Sequence, residues 1–284
     1  MNRRRALLTL TMLSAAACTP PRTRGSSTAR RIVSVTPATT EAVFAVGAGD
    51  RLVGRSRFCD YPPEAVRVPA VGGFLDVDLE AVLELSPDFV VGAPGPTATR
   101  LGDELDARGV ASWFPPGNSL ADVDAMIAGL GERTEHGPEA RAVVDGMRAH
   151  ARAIETAVAG EPKPRVLLLA EVEPVVAAGP SSFADELIRR AGGVNGVLEG
   201  QAWQTLGLET IADIDPEVIV DLSMGVGGAS RIADTAARGW NTTRAARQGR
   251  IVSLADVRLL RPGPRIVDGL AVLARVLHPG VAIP

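Results

Sequence analysis

Lysine occurs once in these 284 residues, at Lys163, although lysine and arginine together number 30; we read this as coding bias rather than function. Histidine occurs three times, cysteine twice and tyrosine once, and aromatic residues make up only 4% of the chain. Each shortage removes a class of chemistry. His136, His150 and His278 have no metal-ligand spacing and read as solvated helix-end or surface side chains. No paired-cysteine motif and no G-x-S-x-G is present, so neither a zinc site nor an esterase-type nucleophile is indicated. No stretch approaches the ~20 apolar residues needed to span a bilayer. A formal charge of -3 gives no electrostatic case for nucleic acid. No catalytic residue and no metal site is therefore assigned.

What remains is ordinary globular material, 46% hydrophobic and 22% charged, in a length that suits two domains. The N-terminus differs. Arg3, Arg4 and Arg5 precede an apolar run from Ala6 to Leu13, then small residues up to Ala17, the pattern of an export signal over residues 1–17. Its end resembles a bacterial lipoprotein signal, which implies lipidation of Cys18, although Ala15 stands where a leucine is usual. Residues 18–30, rich in Pro, Ser, Thr and Arg, read as a tether from a membrane surface. With Cys18 acylated, Cys59 is the only other thiol and no disulfide forms within the chain. Two readings of Cys59 stay open: a buried small hydrophobe, or a contact with a bound metal complex.

The clearest internal signal is a repeat. Leu79 to Val91 and Leu208 to Val220 lie 129 positions apart, and each reads as a short amphipathic helix, a proline stop and a β-branched buried strand. Two related lobes follow. Each opens with a strand and a helix: Arg31 to Val35, then a helix with Thr36 as cap and Pro37 at its first position; and Arg165 to Ala170, then a helix with Ser182 and Asp185 as a capping box. The alternation means an α/β protein with parallel sheets and ligand sites at the carboxyl ends of the strands. From Pro138 to Ala159, apolar residues at helical spacing describe one long helix of roughly 33 Å, read either as a strut joining the lobes or as an ordinary surface helix of the first. The division expected is 31–136 for the N-terminal lobe, 137–160 for the connecting helix and 161–284 for the C-terminal lobe. Gly225 to Gly228 looks like a nucleotide loop, but Ser230 replaces its third glycine, so it reads as a turn. Arginines 231, 238, 244, 247 and 250 read as a solvated helical face.

The run Arg55-Ser56-Arg57-Phe58-Cys59-Asp60-Tyr61-Pro62-Pro63, the following Val71-Gly72-Gly73-Phe74, the first repeat copy and the opening Thr36-Pro37-Ala38-Thr39-Thr40-Glu41 together resemble the helical-backbone substrate-binding proteins of ABC importers for siderophores, haem and corrinoids. The resemblance covers about residues 31 to 279 and, within that family, favours the binders of cobalamin. It implies two Rossmann-like lobes joined by one long helix, with the ligand in the cleft between them. It implies Phe58 and Phe74 as walls of the first lobe, Trp203 as a wall of the second, Arg261 at a polar edge of the ligand, and Pro37, Ala38 and Cys59 near it. Ala93 stands where the corrinoid binders carry a tryptophan, and Val176 where they carry a phenylalanine. Glu80 and Glu209, equivalent in the repeat, match glutamates that meet arginines of the permease. The implied protein is an exported, lipid-anchored, monomeric receptor in the periplasm or on the cell surface. It takes a corrinoid as cargo, needs no cofactor of its own and delivers to an ABC permease. A haem or ferric-siderophore receptor and an exported enzyme are the alternatives. Scarce axial ligands count against haem, with Tyr61 the lone tyrosine, and scarce cleft arginines beyond Arg57 and Arg261 count against anionic siderophores.

Overall fold

A computed structural model describes residues 28–223, 232 and 240–284. The export signal, Cys18, most of the tether, the Gly225 to Gly228 turn, Arg231 and Arg238 lie outside the described residues.

The first sheet is built from β1 (Ile32–Ser34), β2 (Leu52–Arg55), β3 (Phe89–Val91) and β4 (Ala111–Trp113), all parallel in the order β2-β1-β3-β4. Between these strands run α1 (Pro37–Ala45), α2 (Leu79–Glu84) and α3 (Pro96–Asp106), and α4 (Leu120–Arg133) follows β4. Thr36 is the N-cap of α1 as expected, but its side chain caps no backbone group; its hydroxyl pairs instead with Thr39 Oγ1 at 2.7 Å. Asp78 caps α2 by accepting from the Ala81 N–H at 3.1 Å.

The long helix α5 spans Gly137–Val158, 22 residues, and its Ala140, Val144, Met147, Ala151, Ile154 and Val158 are buried. It packs against α1 and α4 on one side of the chain. From the other side it receives α6 (Phe183–Arg190) and the C-terminal α9 (Ile266–Leu277). One apolar core therefore runs without a break from Ile32 and Val43 through α5 to Leu168, Leu187 and Leu273. Such a shared core makes α5 a brace rather than a flexible linker.

The second sheet contains β5 (Arg165–Val172), β6 (Val175–Ala178), β7 (Val194–Asn195), β8 (Trp203–Thr205), β9 (Val218–Asp221) and β10 (Ile251–Ser253), with α7 (Leu208–Ile214) before β9 and α8 (Arg244–Arg247) before β10. Its parallel part, β7-β5-β9-β10, repeats the order β2-β1-β3-β4 of the first sheet. The sheet is nevertheless mixed. β7 pairs only with the start of β5, and the rest of that edge is taken by β6 and then β8 in antiparallel register. Both copies of the repeat end alike, with a left-handed residue before the proline: Ser86 at φ 47° and Asp215 at φ 43°.

Two expectations need correction here. His278 is buried, and its Nε2 lies 3.0 Å from the Ala191 carbonyl, so it ties the end of α9 to the end of α6. Arg244 and Arg247 are not simply solvated. Arg244 pairs with Asp215 and Glu217 at 3.1 and 2.8 Å, and Arg247 lies 3.7 Å from Asp215.

Candidate ligand site

In parallel α/β sheets the loops beyond the carboxyl ends of the strands carry the binding groups. Beyond β2, the Arg57 N–H donates to the Gly72 carbonyl at 2.8 Å and the Val71 N–H to the Arg55 carbonyl at 2.8 Å, which laces residues 55–57 to 71–72. Gly72 sits at φ +101°, and a Cβ there would lie 2.4 Å from the Asp76 carbonyl, so only glycine makes this turn. The turn brings Phe58 and Phe74 together, since a Cβ on the intervening Gly73 would lie 3.1 Å from the Phe58 ring. Both stay open to solvent, Phe58 at 51% and Phe74 at 40%, as does Tyr61 at 41%. Three exposed aromatic rings lie within seventeen positions of an aromatic-poor chain, Phe58 with the Arg57 guanidinium 5.7 Å from its centre, and exposed rings of this kind mark a candidate binding surface.

Beside Phe74 lies a cavity of about 180 Å³, lined by Val35, Leu75, Ala93, Pro96 and Phe114 among others, all of the first lobe. Val35, Ala93 and Phe114 stand just beyond β1, β3 and β4. The small Ala93 side chain is one wall of this space. The cavity is below the ~300 Å³ at which drug-sized ligand pockets begin.

The second lobe answers with the loop between β10 and α9. Arg261 reaches Asp60 through Nη1 at 2.5 Å and Nη2 at 3.3 Å, and its Nη1 lies 3.7 Å from Glu41. Arg265 donates from Nε and Nη2 to the two Glu41 oxygens at 2.9 and 2.6 Å, while its guanidinium sits 3.5 Å from the centre of the Tyr61 ring. The Glu41 side chain is only 3% exposed and comes from the buried face of α1. The hydrogen bond from Arg261 holds the Asp60 carboxyl below the usual carboxylate range, and the bond to Glu41 raises Arg265 further. Close backbone approach completes the junction: a Cβ on Gly263 would lie 3.2 Å from Ala38 Cα, which leaves no slack for a side chain. Arg57 is likewise paired, with Asp76 at 2.5 Å.

The structure thus brings Phe58 and Phe74 into one patch and sets Ala38 against the loop that carries Arg261. Pro37, first residue of α1, is half-buried. Cys59 does not join them. It is fully buried, accepts from the Thr40 hydroxyl at 3.0 Å, and sits in a hydroxyl network of Ser34, Thr36, Thr39 and Thr40, so it offers a ligand no surface. Burial pushes its thiol up. Trp203 lies on the edge strand β8 and packs on Phe183 with ring centres 5.7 Å apart. Glu80 and Glu209 are both exposed, one residue into α2 and α7, and neither makes a hydrogen bond or ion pair among the described residues. Glu41, Asp60 and Arg265 are residues of this junction to which sequence reasoning assigned no role, and Tyr61 entered it only as the lone tyrosine weighed as an axial ligand; the adjacent Asp60-Tyr61 pair before Pro62 was the available signal.

A profile of the periplasmic binding protein family matches residues 32–257. The chain is 25% identical to the vitamin B12-binding protein of Yersinia pestis (strain Pestoides F) over 193 residues, 68% of this chain and 69% of that one. Among solved structures, the periplasmic haem-binding protein BhuT with two haems bound is 30% identical, covers 87% of this chain and 97% of its own, and superposes with a TM-score of 0.76. The periplasmic vitamin B12-binding protein BtuF of Vibrio cholerae shares the fold at a TM-score of 0.77, with 23% identity over 88% of this chain and 96% of its own.

Proposed function

The chain belongs to the periplasmic binding protein family, and on that footing we propose that it is the extracytoplasmic receptor of an ABC importer whose cargo is a wide, mostly apolar metallated macrocycle, a corrinoid before a haem. The observation that carries this reading is the exposure of Phe58, Tyr61 and Phe74 beside arginines that are each already paired. A flat ring with apolar faces buries those aromatic surfaces. A corrinoid edged with neutral amides finds donors there without demanding a free cation. Haem brings two carboxylates and would need one. The curated vitamin B12-binding relative points the same way.

A second reading has its own support. Tyr61 is the lone tyrosine and stands exposed in the patch, a phenol is an axial ligand that haem iron accepts, and the haem-binding BhuT is the relative at 30% identity. Titrating the purified protein with cyanocobalamin, haemin and a ferric siderophore, followed by absorbance and calorimetry, separates the cases. Saturable retention of cyanocobalamin with weaker retention of haemin is expected. Retention of haemin alone refutes the corrinoid assignment, and retention of none refutes the receptor.

The export signal at 1–17 and a lipid on Cys18 would hold the protein at a membrane face, with 31–136 and 161–284 as the lobes and 137–160 between them. Glu80 and Glu209 are the docking carboxylates for the permease in this reading, since paired exposed charges select register and partner more than they add affinity. Cargo is bound and released unchanged, without turnover.

A further inference from the structure

We propose that Asp60 is a built-in competitor for acidic ligand groups on Arg261, so that the site selects macrocycles edged with amides over those edged with carboxylates. The inference rests on the macrocycle-receptor reading and names its specificity determinant.

The four charges at the lobe junction are not equivalent. Glu41 is 3% exposed and is gripped by both donors of Arg265, so it cannot leave. Arg261 is 17% exposed and is held between Glu41 and Asp60. Asp60 is 60% exposed, and its one ion pair among the described residues is with Arg261, which leaves it as the most movable member. It meets the Arg261 fork through both oxygens, the geometry in which arginine takes any carboxylate. With Asp60 in place, two carboxylates and two guanidiniums balance. An incoming ligand carboxylate must therefore evict Asp60 and then remain beside it, with like charges a few ångströms apart, or stay unpaired. A ligand amide faces neither cost, because its carbonyl adds to an arginine N–H without adding charge. The exposed rings at positions 58 and 61 flank Asp60 in sequence, so a macrocycle lying on them would bring its edge to this pair.

The test compares cyanocobalamin with its monocarboxylic acids, in which one peripheral amide has become a carboxylate, by calorimetry on the full mature chain. Each acid isomer is measured separately. Wild-type protein is expected to bind at least one isomer roughly tenfold more weakly than cyanocobalamin, a ratio consistent with one screened like-charge contact. Asp60→Asn, which keeps size and removes charge, should bring that ratio to within about twofold of one, and Asp60→Glu, which restores charge, should recover it. Haemin should gain affinity in Asp60→Asn relative to cyanocobalamin by a similar factor. An unchanged ratio in Asp60→Asn, with binding intact, overturns the Asp60 assignment and leaves the receptor standing. No retention of any corrinoid or haemin by the wild-type chain overturns both.

Discussion

Glu41→Gln removes one carboxylate from the junction between the lobes and tests whether that junction, as well as the shared core, holds them together. The substituted side chain keeps its shape, but its NH₂ group now faces the donors of Arg265, which lie 2.9 and 2.6 Å from the present oxygens, and Arg261 loses its buried counter-charge at 3.7 Å. Breaking a fully buried pair costs about 3–5 kcal/mol. Here the arginines keep 24% and 17% of their side-chain surface, so water recovers part of that, and about 2–3 kcal/mol of destabilisation is expected. At ~2–4 °C per kcal/mol for a chain of this size, the melting temperature should fall by roughly 4–12 °C. Urea unfolding at pH 7 reads the same loss as a lower midpoint at unchanged slope. Because the core is continuous through α5, one transition rather than two should move. Arg265→Gln should cost a similar amount, and the double variant should cost clearly less than the two single losses added, since each single change strands the other's charge. A midpoint within experimental error of wild type, or strict additivity in the double variant, would refute the coupling between these lobes.

Trp203→Ala should weaken cyanocobalamin retention by about 2 kcal/mol, some thirtyfold by calorimetry, if the ring is a wall of the site; full affinity together with lower stability would assign it to packing on Phe183 alone. Glu80→Ala combined with Glu209→Ala should abolish most uptake into vesicles carrying the permease while cargo binding in solution stays as it was, and normal uptake removes the docking role. Arg261 lowers the Asp60 carboxyl, so the stability from that pair is complete above the unfolded value near ~3.9 and disappears as pH falls through the lower native value. Urea midpoints of wild type and Asp60→Asn should accordingly differ at pH 6 and converge as the medium becomes strongly acidic. Burial holds Cys59 as a thiol, so iodoacetamide at pH 8 should leave the native protein unmodified and label it on unfolding; rapid labelling of folded protein would place that sulfur at the surface.

The parts of this architecture visible in the sequence are those encoded over ten or fifteen residues. A helix stopped by proline before a β-branched run is local, so its two copies gave away α2-β3 and α7-β9, while the order of the strands came only with the structure. The buried positions of α5 follow the helical spacing of its apolar residues almost one for one, and Val143, the exception, is half-buried. The β6 and β8 strands were hidden for the same physical reason. They pair antiparallel on an edge of β5 left free by the two-residue β7, and nothing in Gln201 to Gln204 signals a strand, since its partner lies some twenty-five positions back. His278 misled because a histidine beside a terminal proline looks solvated until α6 is packed over it.

Among the candidate residues, Phe58, Phe74 and Arg261 were named from the sequence, but the carboxylates that hold Arg261 were not, and the difference bears on what an arginine in a binding loop means. Phe58 and Phe74 were reached through the family resemblance of the runs that carry them, and the structure leaves both rings exposed. Arg261 and Arg265 sit more than 200 positions from the carboxylates that hold them, a separation over which no periodicity operates. Taken from sequence alone, Arg261 looks like a cation awaiting a ligand. Once Asp60 and Glu41 are beside it, the same residue becomes a neutralised donor, which in the proposed reading suits the amide edge of a corrinoid better than an acid. On that reading the charge state of the loop, set by pairing across the lobes, counts for specificity at least as much as the identity of the residue at position 261.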